Sequence, residues 1–153
     1  MKRFILIILS VIFKFSVASF AIADDYKFGD LIIEHPIIAA TIKSAPVAAG
    51  YLTIFNKGTQ ADRLVSVSAN FSKKQQLHTM TMVEGVMRMR QLKDGVEIPA
   101  DGQITFQKGG DHLMFMKLFE QMQVGEMRDV ILIFEKAGEV KIKMTVIDPV
   151  DLN

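Results

Sequence analysis

The sequence predicts an all-β domain, an antiparallel β-sandwich, on three observations. Ten short apolar runs follow one another at close intervals, most of them parted by a turn signal. The last run alternates cleanly, with Val140, Ile142, Met144 and Val146 on one face and Lys141, Lys143 and Thr145 on the other. No helical periodicity of useful length intervenes, although residues 118–124 have room for one helical turn.

The chain opens with a segment that is not part of that domain. Lys2 and Arg3 make a positive start, residues 4–13 are apolar apart from Ser10, and Ala21-Ile22-Ala23 supplies a small-x-small cleavage signal. Lys14 breaks the apolar run short of the ~20 residues that span a bilayer. Residues 1–23 therefore read as a signal peptide cut before Asp24, and residues 24–153 as one exported domain. A cut after Ala18 also fits, and the rival reading is a retained N-terminal anchor. The expected strands are then 31–34, 37–42, 49–56, 63–67, 75–82, 86–92, 103–106, 112–117, 128–135 and 139–147. Turns are expected at Asn56-Lys57-Gly58, Glu84-Gly85, Asp94-Gly95, Asp101-Gly102, Gly109-Gly110 and Ala137-Gly138. Residues 131–134 are apolar on both faces and read as a central strand, and Asp148 begins a short tail.

Composition narrows the chemistry. There is no Cys, which excludes disulfides, thiolate metal sites, iron–sulfur clusters, a thiol nucleophile and a blue-copper centre. Losing Lys2, Arg3 and Lys14 with the signal peptide leaves 15 basic against 17 acidic residues, a net charge of −2. That balance provides no electrostatic case for nucleic-acid binding. No Ser/His/Asp set, carboxylate pair or phosphate loop is evident, so an enzyme is not expected.

The methionines are the anomaly. Eight of the ten, Met80, Met82, Met87, Met89, Met114, Met116, Met122 and Met127, fall between residues 80 and 127, together with His78 and His112. The strand period puts His78, Met80 and Met82 on one face, and His112, Met114 and Met116 on another, opposite a Leu113/Phe115 core face. Met87 and Met89 share a face opposite Arg88 and Arg90, and are expected to be partly buried. Thioethers are soft, uncharged ligands that suit Cu(I) and not Zn(II), Mg(II) or Ca(II), and imidazole adds affinity at neutral pH. Two readings stay open on the residues alone: a Cu(I) site, or a Met-rich core with two incidental histidines.

The spacing of these residues resembles a known family. His78, ten residues, Met89, twenty-two residues and His112-Leu113-Met114 are similar to the His/Met motif of the periplasmic copper chaperones called PCuAC, with one residue more in the second gap. Ala49-Gly50-Tyr51-Leu52-Thr53-Ile54, Asp62-Arg63-Leu64-Val65, the Glu84–Arg90 stretch, Glu97-Ile98-Pro99-Ala100, Gly109-Gly110-Asp111-His112-Leu113-Met114 and Phe134-Glu135-Lys136-Ala137-Gly138 resemble that family's successive blocks. The likeness covers residues 31–147. It implies a cupredoxin-like, Greek-key β-sandwich that binds one Cu(I) through His78, Met89, His112 and Met114. It also implies a copper carrier in the periplasm that supplies the copper subunit of cytochrome c oxidase, often beside a Sco-type protein, without stable membrane insertion after signal cleavage. His35-Pro36-Ile37-Ile38-Ala39-Ala40 stands where the family has a Trp-Ala-Arg stretch. No His/Met-rich C-terminal tail follows, so one copper site is expected.

Around that site, Met80 and Met116 are candidates for auxiliary ligands or rim packing, and Asp111 for orienting His112 or merely ending a turn. His35 reads as a surface or strand-end histidine rather than a ligand. The competing functions are copper storage or resistance, a metal-free interaction module that binds through its Met-rich edge, and, more weakly, a Zn(II) carrier.

Overall fold

The computed structural model describes residues 25–152 and holds eleven strands: β1 (Tyr26–Phe28), β2 (Leu31–Ala39), β3 (Val47–Asn56), β4 (Asp62–Ala69), β5 (Ser72–Val83), β6 (Val86–Gln91), β7 (Val96–Ile98), β8 (Gly102–Phe106), β9 (His112–Leu118), β10 (Met127–Phe134) and β11 (Gly138–Ile147). A single 3-10 turn, Pro149–Asp151, occupies the tail. The expected signal peptide, residues 1–23, lies outside the described residues. Among the described residues no helix is long and apolar enough to cross a membrane.

The strands pair in the order β6-β5-β9-β3-β2-β11-β10-β4-β7, with β1 on β2 and β8 on β3. β4 and β5 lie near opposite ends of this path, yet only Asn70 and Phe71 separate them in the chain. The path must therefore curl back on itself, which closes it into a two-layered sandwich around one core. β3 makes the fold continuous: its first half pairs with β9 and its second half with β8.

Four features differ from the sequence expectation. The two runs 31–34 and 37–42 are one strand, β2, kinked by an irregularity between Glu34 and Ile37 where His35 takes a φ of 51°. β1 and β7 are three-residue strands, too short to show alternation. The pairing is not wholly antiparallel, because β11 runs parallel to β2 through Thr145–Ile37, Val146–Ile38 and Ile147–Ala39. The 118–124 segment forms no helical turn; after β9 ends at Leu118 it is a loop whose Met122 exchanges hydrogen bonds with Thr41, N to Oγ1 at 3.1 Å and O from N at 3.0 Å.

Alternation decides the core. Val140, Ile142, Met144 and Val146 of β11 are all buried, as are Leu113 and Phe115 of β9 and Val130, Leu132 and Phe134 of β10. Each such side chain contributes roughly 1.5–3 kcal/mol by leaving water. Phe115 packs against Phe71 with ring centroids 4.9 Å apart and planes tilted by 53°. Gly50 lets β3 come close to this layer: a Cβ there would lie 2.9 Å from Phe115 Cε2 and 3.2 Å from the Met144 methyl. At the other end, buried Asp62 ties the β10–β11 turn down, accepting from the backbone N–H groups of Lys136 at 2.9 Å and Ala137 at 3.0 Å.

Candidate metal centre

The β5–β6 hairpin and β9 form one end of the sheet path. Glu84 and Gly85 connect β5 to β6 with φ of 52° and 78°, the two positive values that a type I′ hairpin turn needs. That turn sets the register. Met82 pairs with Met87, Met80 with Met89 and His78 with Gln91. On the other side of β5, His78 pairs with His112 and Gln76 with Met114. Directly opposed residues project to the same face, so His78, Met89, His112 and Met114 stand on one face of three adjacent strands. Met80 joins them.

The two imidazoles meet across β5 and β9 with centroids 5.8 Å apart and rings inclined by 64°. His112 is only 5% exposed. Its Nδ1 lies 3.0 Å from the Gly110 carbonyl oxygen. A carbonyl can only accept, so Nδ1 carries the proton and Nε2 keeps its lone pair for a ligand. The same carbonyl accepts from Met80 N at 3.1 Å, and Gln107 N donates to Asp111 O at 2.7 Å to close the Gly109-Gly110 loop. The loop thereby fixes His112 against β5. The orienting group is the backbone of Gly110 and not the Asp111 side chain, so of the two readings of Asp111 the one at the end of the turn holds.

His78 is set by a different chain. Gln76 Nε2 donates to Gln91 Oε1 at 2.6 Å, which turns Gln76 Oε1 toward His78 Nε2 at 3.0 Å. With the proton on Nε2, the lone pair falls on Nδ1, and Nδ1 is buried with no hydrogen-bond partner. An unpaired buried acceptor is costly unless something binds it. Burial, then the neighbouring His112, then Lys74 hold the His78 pKa below the ordinary imidazole value of 6.5, which keeps the ring neutral and able to coordinate.

His112, Met114, Met89 and Met80 line a shallow depression of about 230 Å³ together with Ala49, Tyr51, Lys108 and Gly109. Ala49 is opposite Met114 on β3, and its small side chain leaves the space. Burial pushes the Tyr51 phenol pKa up, so it stays neutral. Met116, opposite Lys74 and Val47, is not among the lining residues. His35 is exposed at the β2 kink and lines a different depression with Tyr51.

Not every methionine of the cluster belongs here. Met122 is fully buried in the core and Met127 is exposed on β10. Met87 and Met89 are 44% and 46% exposed, more than expected, because β6 is the edge of the path and no strand among the described residues covers it. Arg88 and Arg90 are exposed on the opposite face, paired with Thr81 and Thr79. Gln76, Gln91 and the Gly110 carbonyl were not signalled by the sequence, since only the strand register brings them to the histidines. Among the described residues no three His, Cys, Asp or Glu side chains gather into one group. The donor set is two neutral imidazoles and several thioethers, which fits a soft monovalent ion and not Zn(II) or Ca(II).

Comparison with known proteins places the chain in context. The LpqE-like lipoprotein family model matches residues 31–146. No curated protein sequence matches. Among solved structures, the copper-bound PCuAC domain from PmoF2 is 28% identical with a TM-score of 0.69, covering 82% of this chain and 99% of that one. The apo PCuAC domain from PmoF1 is 28% identical with a TM-score of 0.70, covering 82% of this chain and 100% of that one. The solution structure of the Cu(I) form of DR1885 from Deinococcus radiodurans is 28% identical with a TM-score of 0.60, covering 75% and 76%.

Proposed function

The chain belongs to the LpqE-like family and shares the PCuAC fold, and from that premise we propose that it is an exported Cu(I) carrier. The observation that carries this reading is the pair of cross-strand histidines, one with a buried and unpaired Nδ1, among thioethers on the same face. The proposed ligands are His78 through Nδ1, His112 through Nε2, Met89 and Met114. Copper-bound relatives of the same fold support the choice of metal.

Four neutral ligands hold a monovalent ion without building charge in the site, and Met89 at 46% exposed leaves one ligand open to displacement. Handover then proceeds by exchange of one thioether at a time for an acceptor's ligand. An open site for one ion favours delivery over storage. The acceptor we propose is the copper centre of cytochrome c oxidase, and the compartment is the periplasm, reached by the signal peptide of residues 1–23.

The test is an anaerobic Cu(I) titration of the purified protein against a chromophoric Cu(I) chelator, with a His112→Ala/Met114→Ala variant alongside. Tight capture of one equivalent, lost in the variant, is the expected result. Failure of the wild type to compete for the first equivalent sinks the carrier reading. Mixing the loaded protein with the apo copper subunit of the oxidase then separates delivery from storage.

A further inference from the structure

The β5–β6 hairpin carries two thioethers that the proposed His/Met site does not use. Met82 faces Met87 one rung beyond the Met80–Met89 pair, nearer the turn. Both rungs stand on the face that carries His78. Opposed Cβ atoms in an antiparallel pair are about 4.5–5.5 Å apart, and successive same-face rungs about 7 Å apart along the strand. A methionine side chain is long and freely rotating enough to bring both sulfurs of one rung, and one of the next, onto a single ion.

Packing does not account for these residues. Met82 is 68% exposed and Met87 44%, and all six residues of β6 are exposed at the edge of the path. A hairpin edge made for solubility alone would carry charge on this face. Instead the charges are turned away: Arg88 and Arg90 pair with Thr81 and Thr79 on the opposite face. The outer rungs Met80–Met89 and Met82–Met87 carry no charge of their own; Lys108 borders Met80 and Met89 on the inner side.

We infer that Met82 and Met87, with Met80 as third donor, form a second, outer Cu(I) site made of thioethers alone. This rests on the reading of the His/Met cluster as the inner Cu(I) site. The outer site selects soft monovalent ions, Cu(I) and its surrogate Ag(I), over hard divalent ones. Without imidazole it binds more weakly than the inner site and exchanges faster. The rungs Met82–Met87, Met80–Met89 and His78–His112 follow one another along β5, so an ion passes between the hairpin tip and the histidines by substituting one neutral ligand at a time. No proton or electron moves in that step; the copper stays Cu(I). The outer rung is thus where copper is loaded and where an acceptor's own ligands first reach it. The single site expected from the sequence is extended by a register that the sequence did not display.

The experiment is a titration with Cu(I), repeated with Ag(I), followed on the ¹³C-labelled methionine methyl signals and by chelator competition. Three proteins are compared: wild type, Met82→Leu/Met87→Leu, and His112→Ala/Met114→Ala. The expected wild-type result is a tight first equivalent that moves Met89 and Met114, and a weaker second that moves Met82 and Met87. The leucine variant, altered only at exposed positions, keeps the first equivalent and loses the second. The His112/Met114 variant loses the first and keeps the Met82/Met87 response. Unmoved Met82 and Met87 signals at several equivalents of ion, or a second equivalent that survives in the leucine variant, would overturn the outer site. Loss of the tight first equivalent in the wild type would instead count against the carrier reading alone.

Discussion

At the scale of single residues, the site depends on which nitrogen of each imidazole bears a proton. Gly110 settles this for His112 through its carbonyl, and Gln76, itself held by Gln91, settles it for His78. Gln76→Leu removes the acceptor at Nε2 while keeping a side chain of similar size. Groups that orient a ligating histidine are typically worth 10–100-fold in metal affinity, so Cu(I) affinity should fall by about that factor. The ¹⁵N shifts of His78 in the metal-free protein should show the Nε2–H form give way to a tautomer mixture; an unchanged shift pattern would mean Gln76 only packs. The same ring makes a pH prediction. His78 has its pKa lowered below 6.5 in the fold, so between that lowered value and the unfolded value the unfolded chain binds more protons. Its contribution to stability is therefore complete above about pH 6.5 and is lost as pH falls through the folded pKa. Urea midpoints measured from pH 7.5 to 5 should fall more steeply for the wild type than for His78→Gln, and equal slopes would remove His78 from the account.

At the scale of elements, β9 connects core to site. Leu113 and Phe115 are wholly buried on one face, while His112 and Met114 serve the other. The Phe115 ring of β9 can lie over β3 because Gly50 has no side chain there. Gly50→Ala forces its Cβ against the Phe115 ring and should destabilise by about 1–3 kcal/mol, the usual cost of overpacking a well-filled core. It should also weaken Cu(I) capture, since any shift of Phe115 moves Met114 on the same strand; full affinity with normal stability would show that β9 is not under this constraint. Much at this scale was legible beforehand. The alternation of β9 and β11 and the Glu84-Gly85 turn were visible as residue patterns, because burial on one face and positive φ each leave a local signature. β1 and β7 were not, since three residues carry no period. The β2 kink was read as a break because His35-Pro36 interrupts a run that tertiary pairing holds together. The His and Met types and their spacing were legible too, whereas the places of Gln76, Gln91, Gly110 and the Met82–Met87 rung beside them come only from registers between strands, which no single strand encodes.

At the scale of the whole molecule, the sandwich is divided in function. The proposed ligands sit on β5, β6 and β9 at one end of the strand path, and β10, β4 and β7 lie at the other. The far end is fastened by groups remote from the proposed ligands: Asp62 accepts three backbone N–H bonds, from Arg63, Lys136 and Ala137. The near end is a hairpin whose only strand pairing to the rest is with β9, which touches β4 at the base of β5 and is exposed along all of β6. Stability should be distributed accordingly, lowest in the hairpin and highest in β10 and β11. A ligand that bridges β5, β6 and β9 binds the folded state only, and at a free concentration 100 times its Kd adds about 2.7 kcal/mol, or roughly 10 °C in Tm for a domain of this size. Local openings of the hairpin break the proposed metal site, so they should be suppressed by that full amount. Local fraying around β10 and β4 leaves the ligands in place and should be unaffected. Amide hydrogen exchange with and without one equivalent of Cu(I) reads this directly: protection should rise in β5, β6 and β9, while sub-global exchange in β4 and β7 stays constant. A uniform rise across all strands would mean that the hairpin does not open independently, and that copper release has to draw on unfolding of the whole sandwich.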